Sequence, residues 1–365
     1  MAEIRTEILH KRFDDFVAVA GSTLTVRSGD FFVLLGPSGC GKTTTLRMIA
    51  GLEMPTSGRI YLDGEDVTML RPAKRDIAFV FQLFALYPHM SVRQNLAFPL
   101  KSQRLPRREI KTRVAEVARM LRIDHLLDRG VSGLAGGDRQ RVALGRAIVR
   151  RPKAFLMDEP LGTLDAEFRT LMRDELRTMH DRVGATTVYV THDQLEAMQM
   201  GDKIVVMNHG VIEQFGVPQD IYDKPATMFV AEFIGSPPMN FLPFHGAIHA
   251  GGSSVVLNEV SLAVPDMREA REGDLVFGVR PEHVHLSDTA PYRGEVLATE
   301  YLGTTQIVTL TTPNGLLKAR IAADQPARIG ETTGLEFNAR TITLFDEQSG
   351  RALRSELNEG VLADG

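Results

Sequence analysis

The sequence predicts an α/β protein in which a nucleotide-binding domain with a largely parallel sheet precedes a smaller all-β domain. Residues 1 to about 235 alternate short apolar runs with helical patterns, as expected when helices connect parallel strands. A glycine-rich segment at residues 36–44 directly follows the apolar run Phe31–Leu35. Beyond residue 235, short strands alternate with turn signals, which is typical of a small barrel. These observations predict two domains, over residues 1–235 and 236–365.

The glycine-rich segment fits the pattern G-x-x-x-x-G-K-[ST], which forms a cradle for phosphate groups. Its glycines allow positive φ, so that successive backbone N–H groups can point into one concavity. Lys42 can reach the terminal phosphates of a nucleotide, and the Thr43 hydroxyl can bind Mg²⁺. The predicted ATP-binding residues of this phosphate loop are Gly36, Pro37, Ser38, Gly39, Cys40, Gly41, Lys42, Thr43 and Thr44.

Polar side chains follow the other predicted parallel strands. Ligands of open parallel sheets bind beyond the carboxyl ends of the strands. We therefore expect these side chains to share one site with the phosphate loop. They are Gln82 after residues 77–81, Asp158 and Glu159 after residues 154–157, and His192 after residues 187–191.

The carboxylate pair Asp158–Glu159 can serve two separate tasks in ATP hydrolysis. We expect Asp158 to hold Mg²⁺ through water, and Glu159 to accept a proton from the water that attacks the γ-phosphate. Gln82 can orient that water or bind Mg²⁺, and His192 can donate a hydrogen bond to the γ-phosphate. The predicted catalytic residues are thus Glu159, His192, Lys42 and Gln82, and the predicted metal ligands are Thr43, Gln82 and Asp158.

Between Gln82 and Asp158 the pattern becomes helical. We interpret residues from about 88 to 150 as a helical subdomain inserted into the sheet domain. A second amphipathic segment follows Asp165, and both apolar stripes are predicted to be core contacts. The two stripes comprise Ile110, Val114, Val117 and Leu121, preceded by Pro106, and then Phe168, Leu171, Met172, Leu176 and Met179.

Residues 235–240 read GSPPMN, which predicts a hinge. In the β-rich region from about 240 to 350, the runs at residues 305–310 and 316–321 flank a Pro-Asn-Gly turn. This pattern predicts a β-hairpin. The polar tail from Ser349 is predicted to be frayed.

Composition narrows the possible function classes. Lys and Arg number 42 against 46 Asp and Glu, a net charge of −4 that does not favour a nucleic-acid partner. The single cysteine, Cys40, excludes an internal disulfide framework and suits a reducing compartment. The N-terminal residues lack an apolar signal segment, and no run of about 18 apolar residues occurs. We therefore expect any role at a membrane to be peripheral.

Four motifs occur in the order found in ATPase subunits of ABC transporters, which this sequence resembles over nearly its whole length. Segments at residues 87–95, 235–241 and 278–283 look like the carbohydrate-importer branch, which serves maltose, trehalose and glycerol-3-phosphate type systems. The resemblance implies a P-loop domain followed by an OB-like regulatory domain called TOBE. It also implies an ATPase, with ATP and Mg²⁺, that energises import of a sugar, polyol or glycerol-phosphate type solute. The motifs are Gln82, LAGGD at 134–138, FLMDEPLGTLD at 155–165 and VTHD at 190–193.

In this family two ATPase chains pack head to tail, and the signature segment of each chain covers the nucleotide held by the other. The resemblance implies that Phe13 stacks on adenine, that Asp165 lies at the dimer interface and that residues 82–95 face the permease. The implied partners are a second copy of the chain, two transmembrane permeases and, indirectly, an extracytoplasmic solute-binding protein. The implied location is the cytoplasmic face of the inner membrane. The signature residues are Leu134, Ala135, Gly136, Gly137 and Asp138.

The signature departs from the family's usual Leu-Ser-Gly-Gly-Gln at two positions. Ala135 offers no hydroxyl to the opposite γ-phosphate, although Gly136 and Gly137 keep their backbone N–H groups. Asp138 could stabilise its helix N-terminus or repel bound phosphate. Because Lys42 and Glu159 are intact, we hypothesise an active but slowed ATPase.

Three other readings remain open from the sequence. One is an ATP-binding structural or regulatory subunit with negligible hydrolysis, which the signature departures favour and Glu159 opposes. Another is a chromosome-maintenance or translation ATPase, but the chain has neither a sustained heptad run nor a second phosphate loop. A kinase or GTPase is opposed by the absence of guanine-reading signals and by the segment around His192.

Overall fold

The computed structural model describes residues 2–82, 85–162 and 164–360. The chain forms two compact units, Met1–Ile212 and Glu213–Gly365. The domain ranges 1–235 and 236–365 inferred from the sequence remain a prediction. Within the described residues, no helix is both long enough and apolar enough to cross a membrane.

The first unit contains two sheets and the helices that connect their strands. The strands are β1 (Ile4–Phe13), β2 (Phe16–Val26), β3 (Phe31–Leu35), β4 (Ser57–Leu62), β5 (Glu65–Asp66), β6 (Ile77–Val80), β7 (Ala154–Asp158), β8 (Thr186–Thr191), β9 (Lys203–Asn208) and β10 (Val211–Gly216), the last of which crosses the unit boundary. The helices are α1 (Lys42–Ala50), α2 (Val92–Ser102), α3 (Arg107–Met120), α4 (Gly136–Ile148), α5 (Ala166–Val183) and α6 (Gln194–Met200).

The larger sheet has the order β10-β9-β3-β8-β7-β6. Strand β3 pairs in parallel with β8 and β9, and β7 pairs in parallel with β6 and β8. Every residue of β3, β7 and β8 is buried, as expected of strands covered on both faces. The predicted parallel sheet is therefore confirmed, and its carboxyl ends bring the loops after β3, β7 and β8 to one edge. Strands β2, β1, β4 and β5 form a separate antiparallel sheet.

The helical patterns are largely confirmed. Helix α3 begins after Pro106, and Val114 and Val117 lie on its buried side. Helix α5 begins at the N-cap Asp165 and buries Leu176, which is 1% exposed. The prediction was wrong for Leu171, which is 44% exposed. An apolar residue at the edge of a helical stripe can face solvent, because the stripe is wider than the contact it makes.

The second unit combines two short helices with a β-rich core. The helices are α7 (Pro218–Asp223) and α8 (Met228–Phe233). The strands are β11 (Asn240–Ile248), β12 (Ser254–Leu257), β13 (Val260–Ala263), β14 (Arg271–Val279), β15 (Val284–Ser287), β16 (Arg293–Tyr301), β17 (Thr305–Thr312), β18 (Gly315–Ala322), β19 (Thr332–Phe337) and β20 (Thr343–Asp346).

These strands form sheets of order β11-β14-β20 and β15-β19-β16-β17-β18, with a separate β12-β13 hairpin. A common apolar core joins residues of both sheets, such as Phe277 and Leu310. The predicted hairpin is confirmed, since β17 and β18 pair in register from Thr305 and Ala322 to Thr312 and Gly315.

The segment after Ser349 is not frayed up to residue 360, contrary to the sequence prediction. Leu353 is 6% exposed and belongs to the core of the second unit. Asn358 is 3% exposed and donates to the Leu353 carbonyl. The polar composition of this segment led to the wrong prediction, because its side chains form hydrogen bonds with one another and with the backbone in a compact turn.

The two leucines of α5 give a matched test of this packing. We expect Leu176→Ala to lower the free energy of unfolding by about 2–5 kcal/mol, because it opens a cavity in the core. Leu171→Ala should change it by less than about 0.5 kcal/mol, because that side chain faces solvent. Denaturant unfolding of the full chain measures both values, and equal losses would contradict the packing described.

Candidate functional site

The phosphate loop connects β3 to α1, and its glycines are required by its geometry. Gly36, Gly39 and Gly41 have φ values of 156°, 81° and 101°. A Cβ on Gly36 would lie 2.3 Å from the Met207 carbonyl oxygen, and one on Gly41 would lie 2.3 Å from the Ala18 carbonyl oxygen. A Cβ on Gly39 would meet nothing within 4 Å. The loop is thus pressed against its own domain at two points and open between them, as an anion cradle must be.

Lys42 folds back over the loop. Its Nζ donates to the carbonyl oxygens of Gly36 at 2.7 Å and Pro37 at 2.8 Å, and it lies 3.7 Å from the Cys40 sulfur. Burial raises the pKa of the Cys40 thiol, and the charge of Lys42 only partly opposes this rise. A buried thiol with a raised pKa is a poor nucleophile, which supports a packing role for Cys40.

Thr43 and Asp158 meet across the sheet edge. The Thr43 hydroxyl donates to Asp158 Oδ1 at 2.8 Å. Burial raises the pKa of the Asp158 carboxyl, against the hydrogen bond from Thr43 and the charge of Arg47. A desolvated carboxylate beside a hydroxyl is a pair of hard oxygen donors that suits Mg²⁺. Among residues 2–82, 85–162 and 164–360, no group of three or more His, Cys, Asp or Glu side chains forms a metal site.

Glu159 and His192 also lie together. His192 Nδ1 is 3.3 Å from Glu159 Oε2, and the Glu159 backbone N–H donates to the Val190 carbonyl of β8. A Cβ built on Gly162 would lie 3.7 Å from Glu159 Oε2 and 3.8 Å from Gln82 Nε2. The structure thus brings Gln82, Glu159 and His192 to one place. Glu159 has φ = 44°, an uncommon conformation for a residue with a side chain.

The signature segment forms the start of α4. Ala135 is its exposed N-cap and gives no side-chain hydrogen bond to the helix. A Cβ on Gly136 would meet nothing within 4 Å, whereas a Cβ on Gly137 would lie 1.8 Å from Phe168 Cε1. Gly137 is therefore required by packing within the chain. Gly136 is not required by packing, and the backbone N–H groups at this end of the helix are open to an external group.

Asp138 lies in the first turn of α4, where its negative charge suits the helix dipole. Its Oδ1 is 3.6 Å from Arg141 Nη1, and Arg141 Nε also donates to Glu175 at 3.2 Å. This position supports the first of the two sequence hypotheses for Asp138, which is stabilisation of the helix N-terminus.

The remaining predicted residues lie on other elements. Phe13 ends β1, is 42% exposed and has Lys11 Nζ at 4.6 Å from its ring centroid. Lys11 is in turn bound to Glu53 and to the Met54 carbonyl. Asp165 caps α5 by accepting from the Phe168 backbone N–H. Sequence reasoning missed the contacts of Lys11 and Phe168, because neither is part of a motif.

Three known families match parts of the chain. The ABC transporter family matches residues 19–162, the MalK OB fold domain matches residues 235–284, and the TOBE domain matches residues 277–345.

Curated relatives match the chain almost end to end. The trehalose/maltose import ATP-binding protein MalK of Thermococcus litoralis is 48% identical, over 97% of this chain and 100% of the relative. The sn-glycerol-3-phosphate import ATP-binding protein UgpC of Cereibacter sphaeroides is 45% identical, over 97% and 100%. The trehalose import ATP-binding protein SugC of Mycobacterium tuberculosis is 43% identical, over 97% and 98%.

Among solved structures, cbiO1 from Clostridium perfringens, part of the ABC transporter complex cbiONQ, is similar with a TM-score of 0.56 and 29% identity. The match covers 60% of this chain and 89% of that one. The dimeric structure of MJ0796, a bacterial ABC transporter cassette, is similar with a TM-score of 0.54 and 29% identity, over 59% and 98%.

The two signature glycines give a test of the local packing. We expect Gly137→Ala to destabilise the chain by about 1–3 kcal/mol, because the new methyl group overlaps Phe168. Gly136→Ala should leave stability within about 0.5 kcal/mol of the original, because its Cβ meets open space. Thermal unfolding of the two variants measures the difference, and Gly137→Ala combined with Phe168→Ala should show less than the sum of the two losses. Equal stability of the two alanine variants would refute the stated packing.

Proposed function

Because the chain belongs to the ABC transporter ATPase family, we propose that it hydrolyses ATP to drive solute import through a membrane permease. The proposal depends on two contacts beside the phosphate loop. Thr43 contacts Asp158, and Glu159 contacts His192. The curated relatives described above are import ATP-binding proteins for trehalose, maltose or glycerol-3-phosphate. The solute class proposed here is accordingly a sugar, polyol or glycerol phosphate.

ATP binds with its phosphates in the concavity of residues 36–44 and its adenine on Phe13. The hairpin of Phe13 leads within five residues to Ala18, whose carbonyl touches the loop at Gly41. This short path supports stacking of the base next to the phosphate site. On binding, Lys42 exchanges the Gly36 and Pro37 carbonyls for phosphate oxygens.

Mg²⁺ fits the oxygen donors at the edge of the sheet. The Thr43 hydroxyl, the Asp158 carboxylate and the Gln82 amide oxygen would hold it there. When bound, the ion would supply positive charge to stabilise the phosphate groups.

Hydrolysis uses the polar groups at the ends of β7 and β8. Glu159 takes a proton from the attacking water, the water oxygen bonds to the γ-phosphorus, and the bond to the β-phosphate oxygen breaks. His192 donates a hydrogen bond to the γ-phosphate and supports the water together with Glu159. The products are ADP and inorganic phosphate.

A second copy of the chain completes the site. Residues 134–138 of one chain cover the γ-phosphate held by the other, and the helix N-terminus at Gly136 supplies the open N–H groups. The free space at Gly136 and the exposure of Ala135 support this contact. Asp165 lies at the same interface. ATP stabilises the closed dimer, and hydrolysis releases it.

The dimer lies at the cytoplasmic face of the plasma membrane, where its closing moves two permeases. The permeases receive solute from an extracytoplasmic binding protein. The permease faces residues 82–95, of which Leu83 and Phe84 lie outside the described residues. A groove of about 660 Å³ beside this stretch supports the contact. It is lined by both apolar and basic side chains, including Ala78, Val80, Tyr87, Phe98, Arg146 and Ala147.

The alternative of a non-hydrolysing structural subunit is not favoured. Glu159 has His192 beside it and Lys42 is present, so the groups that hydrolysis requires are assembled. For the β-rich second domain, we propose a regulatory role.

Trapping the closed dimer tests the proposal. We expect Glu159→Gln to bind ATP-Mg²⁺ but hydrolyse it at least about 100-fold more slowly, because the amide cannot accept the proton. The trapped full-length chain should then elute as a dimer with two nucleotides, whereas Lys42→Ala should stay monomeric. Size-exclusion chromatography with light scattering measures both states. If Glu159→Gln remains monomeric with bound ATP, the shared-site proposal fails.

The signature departures predict a rate that can be raised. We expect Ala135→Ser to increase kcat by about 10- to 150-fold, because a hydroxyl on the opposite γ-phosphate contributes roughly 1.5–3 kcal/mol. Asp138→Gln should add a smaller gain, since it removes the favourable charge at the helix N-terminus together with any repulsion of phosphate.

Ala135→Gly is the control for this experiment. Glycine is a better N-cap than alanine but has neither a hydroxyl donor nor a charge, so it should not raise kcat. Steady-state phosphate release by the full-length chain gives the comparison. No gain with Ala135→Ser would mean that the signature does not limit turnover.

A further inference from the structure

A loop at residues 160–165, of which Thr163 lies outside the described residues, joins the proposed base Glu159 to the proposed interface residue Asp165. It begins under strain, because Glu159 has φ = 44°. Such a conformation is unfavourable for a residue with a side chain and persists only where surrounding contacts enforce it. Backbone contacts supply part of this restraint, since Glu159 donates to the Val190 carbonyl and Gly162 donates to the Glu159 carbonyl.

Two side chains restrain the ends of this loop, and the first is Gln140. It is fully buried on α4, one turn beyond the signature glycines, and its Nε2 donates to the Pro160 carbonyl at 2.7 Å. Its Oε1 accepts no hydrogen bond from the part of the chain that the structure describes. A buried amide with an unsatisfied acceptor is costly, and the hydrogen bond to the Pro160 carbonyl is the contact that Gln140 makes with this loop.

Arg169 holds the other end of the loop. Its Nη2 donates to the Leu164 carbonyl at 3.0 Å, and its Nη1 donates to Asp193 Oδ2 at 3.5 Å. Asp193 follows His192 and caps α6 through its other oxygen. One guanidinium therefore links the loop to the residue next to His192.

A buried carboxylate extends this link to the other side of His192. Glu196 is 3% exposed and accepts from the Thr191 hydroxyl at 2.7 Å and from the Tyr189 hydroxyl at 2.8 Å. Its Oε1 lies 4.0 Å from Arg169 Nε. Both neighbours of His192 in the chain are thus fixed, while the His192 side chain itself remains 54% exposed.

We propose that Gln140 and Arg169 are positioning residues that hold the Pro160 and Leu164 carbonyls of this loop so that Glu159 and His192 stay aligned for hydrolysis. This inference rests on the proposed ATPase function. Neither side chain reaches the nucleotide. Gln140 acts through the Pro160 carbonyl next to Glu159, and Arg169 acts through Leu164 and Asp193. Because Gln140 belongs to the signature helix, the geometry of the base in one nucleotide site depends on the helix that covers the other.

The test compares Gln140→Glu and Arg169→Met with matched controls in the full-length chain. We expect both variants to lower kcat by about 10- to 100-fold, since small misplacements of catalytic groups have effects of this size. KM for ATP should change less than about 3-fold, because the phosphate loop is untouched. Arg169→Lys should recover part of kcat. Gln199→Glu and Arg182→Met make the same substitutions at exposed sites and should leave kcat unchanged.

The pH profile separates positioning from general destabilisation. The carboxylate introduced by Gln140→Glu cannot donate to the Pro160 carbonyl when it is ionised, but it can when it is protonated. The kcat of Gln140→Glu relative to the wild type should therefore rise as pH falls, while that of Arg169→Met should not. ATP-induced dimerisation should persist in both variants. If kcat is unchanged, or if KM rises in step with the loss of kcat, the inference fails. Absence of hydrolysis by the wild-type chain would instead refute the proposed function.

Discussion

The site depends on the parallel pairing of β7 with β8 and of β8 with β3. This pairing puts three loops at one sheet edge, and within them Thr43 meets Asp158 and Glu159 meets His192. All three strands are buried on both faces, so a shift of register would disrupt their close packing and move every polar group at the edge. The hydrophobic core thereby fixes distances between side chains that are far apart in the chain.

The sequence predicted those strands and helices whose residue pattern has a direct physical cause. Apolar runs that end in polar residues gave the parallel sheet, and Pro106 with its helical spacing gave α3. Leu171 could not be placed, because which edge of a stripe meets a neighbour is decided by tertiary packing. The ordered segment after Ser349 was also missed, since hydrogen bonds such as Asn358 to Leu353 join polar groups whose partners are chosen only on folding.

The candidate site divides in the same way. Lys42, Thr43, Asp158 and Glu159 stand in motifs, and the sequence predicted their proximity at one sheet edge, where Thr43 does meet Asp158. Gln140 was not identified from the sequence. Its position among the apolar residues of α4 is nevertheless a signal that its side chain is buried. The contacts of Arg169 had no signal at all, because they join three segments whose proximity exists only in the folded chain.

The folded-back Lys42 has a consequence for how tightly a nucleotide can be held. Its ammonium group is paired with two carbonyl oxygens of the loop itself, so its charge is satisfied within the chain. Nucleotide entry is then an exchange of partners, in which the gain from the triphosphate is reduced by the contacts given up. An affinity set by such a difference is weaker than the phosphate contacts alone would give, and the two loop carbonyls can receive Lys42 again when the nucleotide leaves.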